Sequence, residues 1–402
     1  MHDLSWCKQN TLRSTGWSDV QHRVSSPVRS ALDKLLDTHD GASLNREQCL
    51  LLAHATGDDL FGLVAAANEL RRQIVGDTVA YVVTRNINFT NVCIVGCKFC
   101  AFAVGPRHET AYFLSLDEVA DKVREAARWG ASEVCIQGGL PRDLPPYYYR
   151  DILRAVKAAV PTMHCHAFSP MEMRYGVELT GMPVREYLLM LKDAGLDTLP
   201  GTAAEILDDD VRRVLSRNKL SVAQWREIIE TAHECGIRST STMMYGHSET
   251  PEQWVNQLLL LREIQSRTGG FTEFVPLGFI HDNTLLFEQG LARAGATLEE
   301  HMRIHALARV MLAGAIDHVQ VSWVKLGRDV SQLALLAGAD DYGGTLFEEN
   351  ISRLAGASFG QYISTGEFQE RILELGRIPA QRNTTYTRLT YPEPMLPAGS
   401  AA

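Results

Sequence analysis

Between about residues 28 and 77 the apolar positions recur at three- and four-residue steps, in SALDKLL, NREQCLLLAHA and DLFGLVAAANELRRQIV. That period is the mark of amphipathic helices. It predicts a helical N-terminal region, 1–77, that caps one end of a larger domain. At residue 78 the rhythm changes. TVAYVVTRNINFTN reads as a strand, and SLDEVADKVREAARWG as a helix with Ser115 as its cap and Gly130 at its end. Strand-like SEVCIQGG, TMHCHAF, LDTLPG, IRSTSTMMYG, FTEFVPLGFI and DHVQVSW then alternate with helical PPYYYRDILRAVKAAV, VREYLLMLKDAG, SVAQWREIIETAHECG, PEQWVNQLLLLREIQ and LEEHMRIHALARVMLAG.

Strands alternating with helices imply an α/β fold with a parallel sheet. About seven such units in succession suit a (β/α) barrel over 78–345. An open doubly wound sheet shares the alternation, but no GxGxxG phosphate loop follows the first strand. From GGTLFEENISRLAG onward the pattern predicts a C-terminal helical extension, 346–402, with a disordered end at PEPMLPAGSAA.

Charge narrows the range of partners. The 402 residues carry a net charge of −9, which argues against the basic surfaces that bind nucleic acid or anionic membranes. There is no signal-peptide core near the N-terminus and no apolar run of about 18 residues, so neither secretion nor membrane spanning is expected. A cytoplasmic location follows, where thiols stay reduced and clustered cysteines bind metal or do chemistry.

The cluster in question is NVCIVGCKFC, with Cys93, Cys97 and Cys100 inside eight positions. It follows the first predicted strand and so falls on the face where barrel enzymes carry their chemistry. A structural zinc site wants four ligands. A 4Fe–4S cubane held by three thiolates keeps one iron open for a substrate or cofactor. The alternative is zinc with His108 as a fourth ligand. Cys7, Cys49, Cys135, Cys165 and Cys235 are scattered and read as small buried hydrophobes. HMRIH at 301–305 spaces two histidines as a metal pair on a helix, but it lacks the glutamate of an HExxH frame. A surface or packing role is expected.

CxxxCxxC with an aromatic residue, Phe99, before its last cysteine resembles the radical S-adenosylmethionine (SAM) superfamily. Further stretches are similar to one branch, the tyrosine-using subunit of deazaflavin synthases: NINFTNVCIVGCKFCAF, CIQGGL, HAFSPME, GLDTLPGTAAEIL, STMMYGHSET, EFVPLGFIH, VSWVKLG and GGTLFEENISR. Two menaquinone-pathway enzymes acting on futalosine compounds are near relatives, but PGTAAEI and EFVPLGFIH fit the deazaflavin branch better. Pro141 departs from the family pattern, where a histidine often follows QGGL.

The resemblance implies one 4Fe–4S cluster on Cys93, Cys97 and Cys100, and a 5′-deoxyadenosyl radical generated from SAM. It implies that L-tyrosine loses a hydrogen from its amino group and breaks at Cα–Cβ. The 4-hydroxybenzyl fragment then joins 5-amino-6-(D-ribitylamino)uracil, with release of 2-iminoacetate, methionine and 5′-deoxyadenosine. One cysteine triad implies a separate ring-closing subunit, and the cluster an external electron donor. Phe99, Gly138, Gly139, Glu205 and Arg212 are the expected SAM contacts. Asn86, Asn88, Ser169 and Tyr245 are the expected substrate contacts. His166, His247, Glu273 and His281 are the expected catalytic groups, with His166 of HAFSP foremost. The competing non-enzymatic reading is a zinc- or cluster-stabilised binding protein or redox sensor.

Overall fold

The computed structural model describes residues 4–392. The sheet strands are β1 (Thr78–Val82), β2 (Thr84–Ile87), β3 (Glu133–Ile136), β4 (His164–Ala167), β5 (Thr198–Leu199), β6 (Arg238–Tyr245), β7 (Phe271–Gly278), β8 (Asp341–Gly344), β9 (Ile378–Arg382) and β10 (Leu389–Thr390). Strands β2 to β7 form a curled six-stranded parallel arc in sequence order. The ring continues through single bridges, Phe274 to Val319 and Gln320 to Asp341, into β8, which runs parallel to β1. Each of β2 to β7 feeds a helix that returns along the outside, the geometry that a parallel arrangement requires.

Three details depart from the sequence pattern. The single strand expected over 78–91 is two, because β1 belongs to the sheet with β8 and β9 while β2 begins the six-stranded arc. DHVQVSW contributes only bridging residues before the helix Trp323–Leu336 begins. The C-terminal segment supplies β9, which lies parallel along β1 at Thr78–Tyr81. The expectation for PEPMLPAGSAA falls, but for Pro392, outside the described residues.

Local signals set the helix ends. Ser115 caps Leu116–Arg128 through a reciprocal pair with Glu118, and Ser221 and Thr297 do the same for the helices that follow them. The N-terminal helix Gly57–Val75 is buried along most of its length and packs on the outer barrel helix Leu298–Leu312. The N-terminal helices therefore thicken one flank of the barrel, and none of their residues lines the cavity described below. No single helix among the described residues is long and apolar enough to cross a membrane.

Candidate active site at the mouth of the barrel

The loop after β2 is fastened from several sides. Ile94 donates its N–H to the Leu140 carbonyl at 2.9 Å, Lys98 to Leu215 at 2.9 Å, and Cys93 to Val104 at 3.1 Å. Leu286 in turn donates to the Lys98 carbonyl at 2.9 Å. Cys93, Cys97 and Cys100 are all partly exposed and all line one cavity of about 410 Å³ at the C-terminal end of the strands. Among the described residues no three His, Cys, Asp or Glu side chains gather as ligands of a single ion would. The three thiols line the same cavity. Burial pushes Cys100 up to about 11 and raises Cys97, while Lys219 opposes the rise at Cys97.

The second wall is built for close approach. A Cβ on Gly139 would collide with the Val92 carbonyl oxygen, next to the cysteine loop. Only glycine lets strand β3 end against that loop. The Gly138 N–H donates to Glu172 Oε1 at 2.9 Å. Burial raises the Glu172 carboxyl to about 7, against the pull of bonds from Ser169 and Gly138. Glu172 also forms the capping pair of helix Pro170–Thr180 with Ser169. Ser169 therefore lines the cavity with its hydroxyl already committed, donating to Glu172 Oε2 at 2.7 Å.

Opposite lies the loop after β5. Ala203 and Glu205 both have positive φ, 58° and 40°. Arg212 holds them there. Its guanidinium donates to the carbonyls of Ala203 (3.1 Å), Ala204 (2.5 Å) and Leu220 (2.6 and 2.9 Å) and does not line the cavity. Glu205 Oε1 pairs with Lys219, whose ammonium lies 4.8 Å from the Phe99 ring centroid. Glu205 Oε2 is buried without a partner in the cavity wall. An unpartnered buried carboxylate oxygen is costly unless a donor completes it, and a ribose hydroxyl or an amino group would.

The other expected residues separate into distinct places. Asn86 lines the cavity. Asn88 lines a neighbouring cavity of about 360 Å³ behind Phe102, with its Nδ2 on the Gln137 carbonyl at 3.1 Å. His166 is buried in the lumen on Thr198 Oγ1 at 2.8 Å, and burial lowers it to about 4, so it is neutral. His247 is fully buried, with Nε2 on the Met244 carbonyl at 2.9 Å and Nδ1 facing Ser248 and Glu249. Tyr245 points outward, bonding His301 Nδ1 at 2.6 Å. His281 packs edge-on to Phe287 outside the cavity. Glu273 sits at the opposite, N-terminal end of the strands, bonded to Arg382 at 3.0 Å and to Tyr386.

For the strand residues Tyr245 and Glu273 the separation has one cause. A strand's side chains alternate inward and outward, and only the inward ones near its C-terminal end reach the mouth. Tyr245 has the wrong parity, and Glu273 the wrong height. Glu172, Lys219, Lys325, Gln137 and Gln320 also line the cavity but were not singled out in the sequence. For all but Lys219 the one sequence signal is proximity to quoted stretches: Gln137 lies in CIQGGL, Glu172 closes HAFSPME, Lys325 lies in VSWVKLG, and Gln320 directly precedes it.

Residues 87–261 match the radical SAM superfamily, and residues 268–395 match the CofH/MqnC C-terminal region. The chain is 49% identical over 330 residues to the 5-amino-6-(D-ribitylamino)uracil–L-tyrosine 4-hydroxyphenyl transferase of Methanocaldococcus jannaschii, covering 81% of this chain and 92% of that one. The chain belongs to the radical SAM superfamily, in its CofH branch. It is also 52% identical over 364 residues to the FO synthase of Mycobacterium leprae, covering 90% of this chain but only 42% of that relative's length. Methylornithine synthase shares the fold, with a TM-score of 0.67 at 19% identity over 87% of this chain and 97% of that one. The cofactors of the superfamily are a 4Fe–4S cluster and SAM. The residues present fit them: three thiols lining one cavity, a glycine-only approach beside them, and an orphaned carboxylate oxygen opposite.

Proposed function

We propose that this chain transfers the 4-hydroxybenzyl group of L-tyrosine to 5-amino-6-(D-ribitylamino)uracil in deazaflavin biosynthesis. The observation that carries the reading is the convergence of Cys93, Cys97, Cys100, Gly139 and Glu205 on one cavity in a chain of this branch. The bound cluster and SAM supply the initiating 5′-deoxyadenosyl radical. The protein's own residues then bind, orient and exclude water.

In this reading the three cysteines hold the cluster. Gly138 and Gly139 admit the methionine end of SAM, Glu205 Oε2 accepts from SAM, and Phe99 flanks it. Arg212 acts on SAM only through the loop it braces. Glu172, held near neutrality, keeps the Gly138 amide in place. The carboxamides of Asn86 and Gln137, which line the cavity, present hydrogen bonds to substrate, and neutral His166 stays buried on Thr198 outside the cavity lining. His247, His281, Tyr245, Asn88 and Glu273 shape the surrounding frame. We further propose an external electron donor, a separate ring-closing subunit that consumes the product, and a cytoplasmic setting that keeps the thiols reduced.

The test is anaerobic reconstitution with iron and sulfide, followed by SAM, dithionite, tyrosine and the ribitylaminouracil. The expected product is a hydroxybenzyl–pyrimidine adduct formed together with 5′-deoxyadenosine. Turnover of a futalosine compound in place of those two substrates would overturn the assignment.

A further inference from the structure

Gln320 lies on the barrel wall between β7 and β8 and lines the cavity. Oxygen and nitrogen of a carboxamide are alike in shape, so partners must decide the orientation. Here they do. Arg382 Nη2 lies 3.1 Å from Gln320 Oε1, and a guanidinium can only donate, so the oxygen faces Arg382. Arg382 cannot turn away, because buried Asp341 and Glu273 hold it from other sides. The Gln320 NH₂ is therefore directed away from Arg382, and it makes no hydrogen bond among the described residues. Room for it comes from Gly343, at φ +90°, where an added Cβ would lie 3.3 Å from Nε2.

A second uncommitted carboxamide stands on the same arc. The Gln320 segment bridges to β8, β8 pairs with β1, and β1 runs directly into β2, which carries Asn86. The Asn86 side chain lines the cavity and makes no hydrogen bond within the described residues. Two free amides in an otherwise largely apolar cavity match a ring that alternates carbonyl and N–H groups. A phenol offers a single oxygen.

We infer that Gln320 is a specificity-determining residue that donates from Nε2 to a ring carbonyl of the pyrimidine substrate, its orientation locked by Arg382. This rests on the proposed function and adds the subsite that reads the second substrate. Asn86 completes the same edge.

The test compares wild type with Gln320→Glu, which keeps the size and the bond to Arg382 but puts an acceptor where the donor stood. The KM for the ribitylaminouracil is expected to rise about tenfold or more, with the KM for tyrosine and the thermal midpoint unmoved. Gln320→Met, which removes the donor without adding charge, gives the same reading if the glutamate variant fails to fold. A rise in the tyrosine KM with the pyrimidine KM unchanged would assign Gln320 to the phenol and overturn the inference. So would no change in either. Absence of any adduct from the wild type would overturn the functional reading itself, and this assignment with it.

Discussion

The two ends of this barrel treat their polar side chains in opposite ways. At the C-terminal mouth, polar groups are left incomplete: Glu205 Oε2 has no partner, and three thiols face a common space. At the N-terminal floor, the charged groups are closed on one another. Arg382 pairs with Asp341 and Glu273, Tyr386 bonds Asp341 at 2.7 Å, and Thr384 bonds Glu133. His318 stacks on Tyr386 with centroids 3.7 Å apart, and its Nδ1 bonds Asp340 at 2.7 Å. The C-terminal strand β9 and the turn after it supply Arg382, Thr384 and Tyr386, so the segment beyond the barrel seals its base. A buried polar group that is satisfied inside the protein is structure, and one that is not is an invitation to a ligand.

That contrast can be broken at either end. The largest effect is expected at the mouth. Cys97→Ala should take iron from about four atoms per chain to near none, because two thiolates cannot hold a cubane. Iron analysis and loss of the brown absorbance measure it, and full retention of both would remove the cluster assignment. At the floor, Arg382→Leu leaves buried Asp341 and Glu273 without their cation and should destabilise the fold by about 3–5 kcal/mol. Chemical denaturation reads this, and an unchanged midpoint would mean the floor is not the closed ionic network described.

Glu172 gives a smaller, pH-dependent effect. Its folded value of about 7 lies above its ordinary 4.5, so the native state binds the extra proton. Its favourable contribution is complete below pH about 4.5 and is lost as pH rises through about 7, on the order of 1–3 kcal/mol. Glu172→Gln should flatten that part of the stability–pH curve, measured by denaturation at several pH values. Smallest is Glu205→Gln, which replaces the orphaned acceptor. It should weaken SAM binding to the reconstituted protein about tenfold, or 1.4 kcal/mol, by calorimetry under anaerobic conditions.

The same contrast explains what the sequence could disclose. The α/β alternation, the Ser115 cap and the cysteine spacing are local, and local patterns survive folding. Cys93, Cys97, Cys100, Gly138 and Gly139 meet because a loop and the next strand's end are neighbours in any parallel barrel. Glu273 and Tyr245 look like site residues on composition alone. Their height along the strand and their parity, which the linear pattern leaves undefined, send one to the floor and the other outward. Arg212, expected as a SAM contact, braces the loop instead, and that role is invisible for another reason: its partners are backbone carbonyls, which carry no residue signal. Gln320 is legible only once Arg382, 62 residues away in the chain, is placed beside it.

In the proposed mechanism, one corner of a cluster held by Cys93, Cys97 and Cys100 is left open to SAM at the mouth. Electron paramagnetic resonance of the reconstituted, dithionite-reduced protein, with and without SAM, tests it directly. The expected result is a reduced 4Fe–4S signal whose shape changes when SAM is added, as the open iron gains its ligands. A signal indifferent to SAM, or a colourless zinc protein, would contradict it.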